Sequence, residues 1–191
     1  VTAIEIVVWV LAILATAGTV AVAVIAARRN RPALALVATA PVVIGALMLV
    51  FRLAVPAPAH ALWVLLALAI AALGVIAGSP LTVLVLRLTG PSERPGIAGG
   101  IVVDDEKTDQ PHEVLRGGAI IGYLERIAIV VAIVVGHPEA VAVVIAIKGL
   151  GRFSELVAPE VRERFIIGTL VSFIWAAACG GVIWLEGGLV P

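Results

Sequence analysis

Seven ionisable residues stand inside, or at the mouths of, long apolar runs: Glu125, Arg126, Lys148, Arg152, Glu155, Glu163 and Arg164. Glu125 and Arg126 are adjacent in "IGYLERIAIV" (121–130). Lys148, Arg152 and Glu155 recur at i, i+4 and i+7 in "AIKGLGRFSEL", one face of a helix. Bases and acids in such surroundings have three uses. Arginine and lysine hold an anion or a phosphate group. A buried glutamate moves protons. The set can also be an ion network that only fixes helix packing. An unpaired lysine in hydrocarbon costs about 2.5–3.5 kcal/mol on insertion scales. Lys148 is therefore expected to pair, and Glu125 is its expected partner.

Other chemistries find little support. His60, His112 and His137 are scattered without metal-ligand spacing. Cys179 is the only cysteine, which excludes an internal disulfide and a cysteine metal cluster. Asp105 and Asp109 form a D-x-x-x-D, but in a run of mixed charge that reads as a solvated loop. Ser172 has no histidine nearby in sequence to activate it. No cofactor and no metal are expected. Net charge is zero, so no bulk field favours nucleic acid.

The elements that must position these residues follow from composition. The chain has 191 residues, 62% hydrophobic and 14% charged, with a mean hydropathy of +1.17. One water-soluble core of this size cannot bury that surplus, so a lipid bilayer must solvate it. Crossing the hydrocarbon takes about 20 apolar residues as helix. Six segments approach that: about 4–27, 33–53, 60–88, 118–135, 138–156 and 163–185. The runs are continuous rather than alternating, which excludes a β-barrel. The sequence thus predicts an all-α, polytopic membrane protein, a single domain built as a six-helix transmembrane bundle.

Lysine and arginine placement sets the expected threading. Arg28, Arg29 and Arg31 follow the first segment, and Arg87, Arg94, Lys107 and Arg116 follow the third. With those loops in the cytoplasm, both termini lie outside, across a bacterial cytoplasmic (inner) membrane. The first segment has Glu5 before it and its arginines after it, the reverse of a cleaved signal, so it reads as a retained helix. Residues 89–117 are expected to be a flexible cytoplasmic loop, being rich in glycine, proline and charge. Pro80 in "AGSPL" predicts a kink or break in the third helix.

Small residues mark expected packing faces. Gly118 and Gly122 are four apart in the fourth segment, and Gly168, Ser172, Ala176 and Gly180 form a ladder in the sixth. Glu125 follows the Gly118–Gly122 face towards Lys148. Arg126 lies 100° round the helix. It is expected to reach the cytoplasmic headgroups, or to pair with Glu155 or Glu163.

The motifs "IGYLER", "AIKGLGRFSEL" and "ERFIIGTLVSF", spanning about 118–175, resemble a family of bacterial multi-pass membrane proteins of unknown function, most closely its actinobacterial versions. The resemblance implies that Glu125, Arg126, Lys148, Arg152, Glu155, Gly168 and Thr169 are a shared polar set. It brings no activity with it. Some members carry an acidic-aromatic motif in their first helix; this chain has none, so the resemblance is confined to its C-terminal half.

Three functions compete. Transport or permeation of an anion, or of a phosphate-bearing small molecule or lipid, stands first, because bases outnumber acids around the cluster. A small accessory or structural subunit of a larger membrane complex, or a homo-oligomer, stands second, on the small-residue faces and very short outer loops. An inner-leaflet enzyme acting on a phosphorylated lipid stands third, since no nucleophile or metal motif is present.

Overall fold

The computed structural model describes residues 3–53, 55–89, 101–103, 112–114, 118–151 and 159–187. It is helical throughout except for one short antiparallel pair. The helices are α1 (Ala3–Arg28), α2 (Ala35–Val50, entered through a 3-10 turn at Pro32–Leu34), α3 (His60–Leu88), α4 (Gly118–Val134), α5 (Ala140–Gly151) and α6 (Pro159–Gly187). Between α3 and α4, β1 (Ile101–Val103) pairs with β2 (His112–Val114), with Val102 opposite Glu113. That hairpin lies in the stretch expected to be a flexible loop. "GPSERPG" and residues Arg94, Asp105, Lys107, Asp109 and Arg116 fall outside the described residues.

Among the described residues, four helices are long and apolar enough to cross a membrane: Ala3–Arg28, Pro32–Val50, His60–Leu88 and Val161–Gly187. α4 has 17 residues and α5 has 12. At 1.5 Å per residue these reach roughly 25 and 18 Å, short of the roughly 30 Å hydrocarbon thickness. The exposure pattern suits lipid. Leu11, Leu14, Leu36, Leu68 and Ile174 are exposed, while Glu125 and Arg126 are buried. In water that arrangement would be inverted.

α3 is the centre of the bundle. It packs most extensively on α6, then on α1 and α4, while α2 and α5 lie at the periphery. Side-chain neighbours give the directions. Thr82 lies against Gly168, Trp175 Nε1 donates to the Leu73 carbonyl at 3.2 Å, and a Cβ at Gly187 would meet Trp63. α6 therefore runs antiparallel to α3. Gly74 lies near Val130 and Gly78 near Arg126, so α4 is antiparallel to α3 as well. The small-residue ladder of α6 lies in these contacts. Ser172, Ala176 and Gly180 are buried, and a Cβ at Gly180 would stand 3.1 Å from Ile133 Cβ. A Cβ at Gly168 would stand 3.2 Å from the Thr82 methyl.

Three helix ends share one stop. After α1, Arg31 N donates to the Ala26 carbonyl; after α2, Leu53 N donates to Met48; after α4, His137 N donates to Ala132. Each is the six-to-one bond of a Schellman cap, and each has a left-handed residue just before the donor. Those residues are Asn30, Arg52 and Gly136, with φ of 51°, 53° and 82°. The cap explains why α2 ends at Val50 rather than near 53. It also makes the α4–α5 turn tight.

α3 runs without interruption through Pro80. Of the kink or break expected at "AGSPL", the break is absent. Proline removes one amide donor, but in a packed bundle neighbouring side chains can satisfy the backbone groups it disturbs. The carbonyl that loses its amide partner is that of Ile76, whereas Arg126 Nε donates to the neighbouring Val75 carbonyl.

Candidate functional site

Arg126 enters from α4 and is only 3% exposed. Its Nε donates to the Val75 carbonyl at 2.6 Å, Nη2 to Ser79 Oγ at 2.7 Å, and Nη1 to Ser172 Oγ at 3.0 Å. All three nitrogens of one guanidinium thus bond within the bundle, two to α3 and one to α6. Its Cζ also lies 5.0 Å from the centroid of the Tyr123 ring, one turn back on α4. Close approach depends on glycine. A Cβ at Gly78 would stand 2.5 Å from Arg126 Cδ and 2.9 Å from Nε. Real Cβ atoms do not come so close, so any larger residue at 78 displaces the arginine. Gly122 serves the same side chain, since a Cβ there would meet Arg126 Nη1 at 3.3 Å.

This corrects the expected headgroup anchor. A helical side chain slants back towards its own N-terminus. From position 126 that slant leads into the cleft between α3 and α6, where Gly78, Ser79 and Ser172 leave room and supply acceptors. Arg126 does not bond to Glu163, which is exposed on the early turns of α6. Glu155 lies outside the described residues. Gly122 clears space for the guanidinium rather than for another helix.

Glu125 and Lys148 meet as expected. Lys148 Nζ donates to Glu125 Oε2 in an ion pair whose side chains are 14% and 8% exposed. The ammonium also lies 5.2 Å from the Phe173 ring centroid and 5.6 Å from that of Phe165, both on α6. These aromatic rings are a favourable wall for a cation. Glu125 Oε1 is buried without a hydrogen-bond partner among the described residues. The pair joins α4 to α5, and α5 has no buried residue.

The other expected site residues separate from this core. Arg164 is half-buried and Gly118 half-buried at the start of its helix. Arg152 lies outside the described residues. Thr169 is half-buried on α6. Sequence reasoning missed Val75, Gly78, Ser79 and Tyr123 as the surroundings of Arg126. The signal was "AGSPL": small and hydroxyl residues ahead of a proline make a receptacle as readily as a break.

Two further acids lie away from the cluster. At the α4–α5 turn, Glu139 is exposed; its own backbone N–H, and then the His137 ring at 2.9 Å, hold its carboxyl below the ordinary carboxylate value. Glu186 lies near the C-terminal end of α6, beside Gly45 of α2. Among the described residues no group of three or more His, Cys, Asp or Glu is placed to hold a metal ion. The cavities beside Glu186 and beside Trp184 are not lined by Glu125, Arg126 or Lys148.

No protein-family model, curated protein or solved structure matches the chain.

Proposed function

We propose that this chain is a small accessory or structural protein of a bacterial cytoplasmic membrane, in which the buried charges hold the bundle together. The observation that carries this reading is the closure of the cluster. Arg126 is 3% exposed and turns one donor from each of its three nitrogens to internal acceptors, and Lys148 lies against one carboxylate and two aromatic rings. A phosphate binder presents its donors on an accessible face, whereas those of Arg126 point into the bundle. The same closure gives an inner-leaflet enzyme no support.

The threading belongs to the same proposal. α4 and α5 join the four longer helices as crossing segments, making six, with both termini outside. Arg28, Arg29, Arg31 and Arg87 gather at one end of the bundle, where Arg87 Nη2 donates to Asn30 Oδ1 at 2.6 Å. Because α6 is antiparallel to α3, Arg162 and Arg164 share that end. Glu5, Glu139 and Glu186 share the opposite one with Arg52. Lysine and arginine favour the cytoplasmic side. Cysteine labelling of single-cysteine variants in intact cells tests this: a cysteine at Ala57 is labelled from outside and one at Arg87 is not.

The function is tested by purification from native membranes in a mild detergent after cross-linking. Co-purification of a partner, or a defined oligomer, is expected. A free monomer in every condition would sink the accessory reading.

Anion transport remains as a second reading, favoured by one observation. Lys148 sits on the least buried helix and is held by a carboxylate whose second oxygen has no partner among the described residues. An anion that displaced Glu125 would use Lys148, not Arg126. Liposome flux compared between wild type and Lys148→Ala separates the two. Anion flux in the wild type that Lys148→Ala abolishes favours transport; no flux in either leaves the accessory reading.

A further inference from the structure

The end of the bundle away from the basic loops holds a cavity of about 110 Å³. It lies between α1, α2, α3 and α6, and residues 55–57 border it. Its walls include Trp9, Gly45, Pro56, Trp63 and Leu66, and Glu186 is the one charged residue among them. Among the described residues, no cation or hydrogen-bond donor is recorded against the Glu186 carboxyl. The carboxyl lies beside α2: a Cβ at Gly45 would stand 3.4 Å from Glu186 Oε1, an ordinary contact distance.

An acid in an apolar hollow, with two indoles in the wall, is an unusual combination. Aromatic side chains attract cations through the negative faces of their rings, and the interaction strengthens when water is excluded. Indole rings and one carboxylate suit an alkylated ammonium, which offers positive charge spread over methyl groups and needs few hydrogen bonds. The hollow of about 110 Å³ is partly open, so a compact ammonium head can enter it while an alkyl tail leaves towards lipid. A zwitterionic headgroup fits worse, because its phosphate would be drawn in beside Glu186.

We propose that this cavity is a binding site for a free hydrophobic alkylammonium cation, held by Glu186 and by Trp9 and Trp63. It is independent of the Arg126 clasp and of any role for Lys148.

The test uses the full chain in a neutral maltoside detergent, with calorimetric titration and tryptophan fluorescence as readouts. Decyltrimethylammonium is expected to bind saturably. Glu186→Gln, which keeps the shape of the side chain, weakens that binding at least ten-fold. On the wild type alone, decanol, decyl sulfate and decylphosphocholine carry the same tail with a neutral, anionic or zwitterionic head. Each is expected to bind at least ten-fold more weakly than the cation. Equal cation affinity in wild type and Glu186→Gln would overturn the site. Decanol or decyl sulfate binding as well as the cation would reduce it to an apolar cleft. Decylphosphocholine binding equally would overturn the free-cation assignment in favour of a zwitterionic lipid. The wild-type comparisons stand even if the variant fails to fold.

Discussion

Glu125 and Arg126 are neighbours in sequence and opposites in how they are held. Arg126 reaches into the junction of α3, α4 and α6, takes three acceptors from two other helices, and requires a glycine at 78. Glu125 reaches the other way, to one lysine on α5, a helix that packs on α4 and buries nothing. One region is a clasp among three helices; the other is a tether between two. A 100° rotation on α4 separates them. A buried charge therefore says little about its role until the number of elements that grip it is known.

The clasp is most sharply broken from its receiving side. Gly78→Val drives a side chain into the arginine and leaves a desolvated cation without its acceptors. We expect a loss of about 4 kcal/mol or more, or no folded protein. Arg126→Met should cost clearly less, because the groups it abandons are neutral and a flexible apolar chain fills the space. SDS-titration unfolding in mixed micelles measures both. If Arg126→Met proved the more damaging of the two, the steric account of Gly78 would be wrong.

The tether is broken from the lysine side. Lys148→Met leaves Glu125 buried without a cation and is expected to cost about 3 kcal/mol. Adding Glu125→Gln should recover most of that loss, since the uncompensated charge goes with it. A double variant no better than the single one would show that Lys148 contributes chiefly by packing against Phe165 and Phe173.

Smaller effects test how the clasp divides its load. Ser79→Ala and Ser172→Ala each remove one acceptor from a charged donor, for about 1.5 kcal/mol apiece. Because they share a guanidinium, their effects should not add, and a double-mutant cycle reads the coupling. Strict additivity would mean that the two hydroxyls do not act through Arg126.

The smallest effect lies at the turn below the tether. The Glu139 carboxyl is held below its ordinary value of 4.5 in the folded chain. A carboxylate lowered by folding contributes stability that is complete above the unfolded value and is lost as pH falls through the folded one. Acidifying below about 4.5 should loosen the α4–α5 turn locally, seen as lower amide-exchange protection at His137 and at residues 139–141. His137→Ala should keep most of this dependence, since the backbone N–H is the larger cause. Loss of it in that variant would give the histidine the leading part.

Particular residues show how far sequence reaches. The Glu125–Lys148 pair was legible because an unpaired lysine in hydrocarbon is costly and a short turn makes α4 and α5 neighbours. The α6 ladder was legible because small residues every four positions have no better use than close packing. Arg126 was misread when taken alone. The arginine looked like an anchor, yet the Val75 carbonyl and Ser79, distant in sequence, receive it; of the kink or break allowed at Pro80, the break is absent. The cavity beside Glu186 left no local signal, since its walls come from four helices and the segment between α2 and α3.

By itself, then, the sequence determined the solvent, the helical state and which acid must find which base. Those follow from hydropathy, backbone satisfaction and the cost of a bare charge, and all three act locally or on composition. Only the tertiary structure decided which way Arg126 turns, why Gly78 must stay glycine, and where a carboxyl faces an apolar hollow. Those outcomes depend on which helix faces come together, and the apolar pattern of these helices is too uniform around their circumference to specify it.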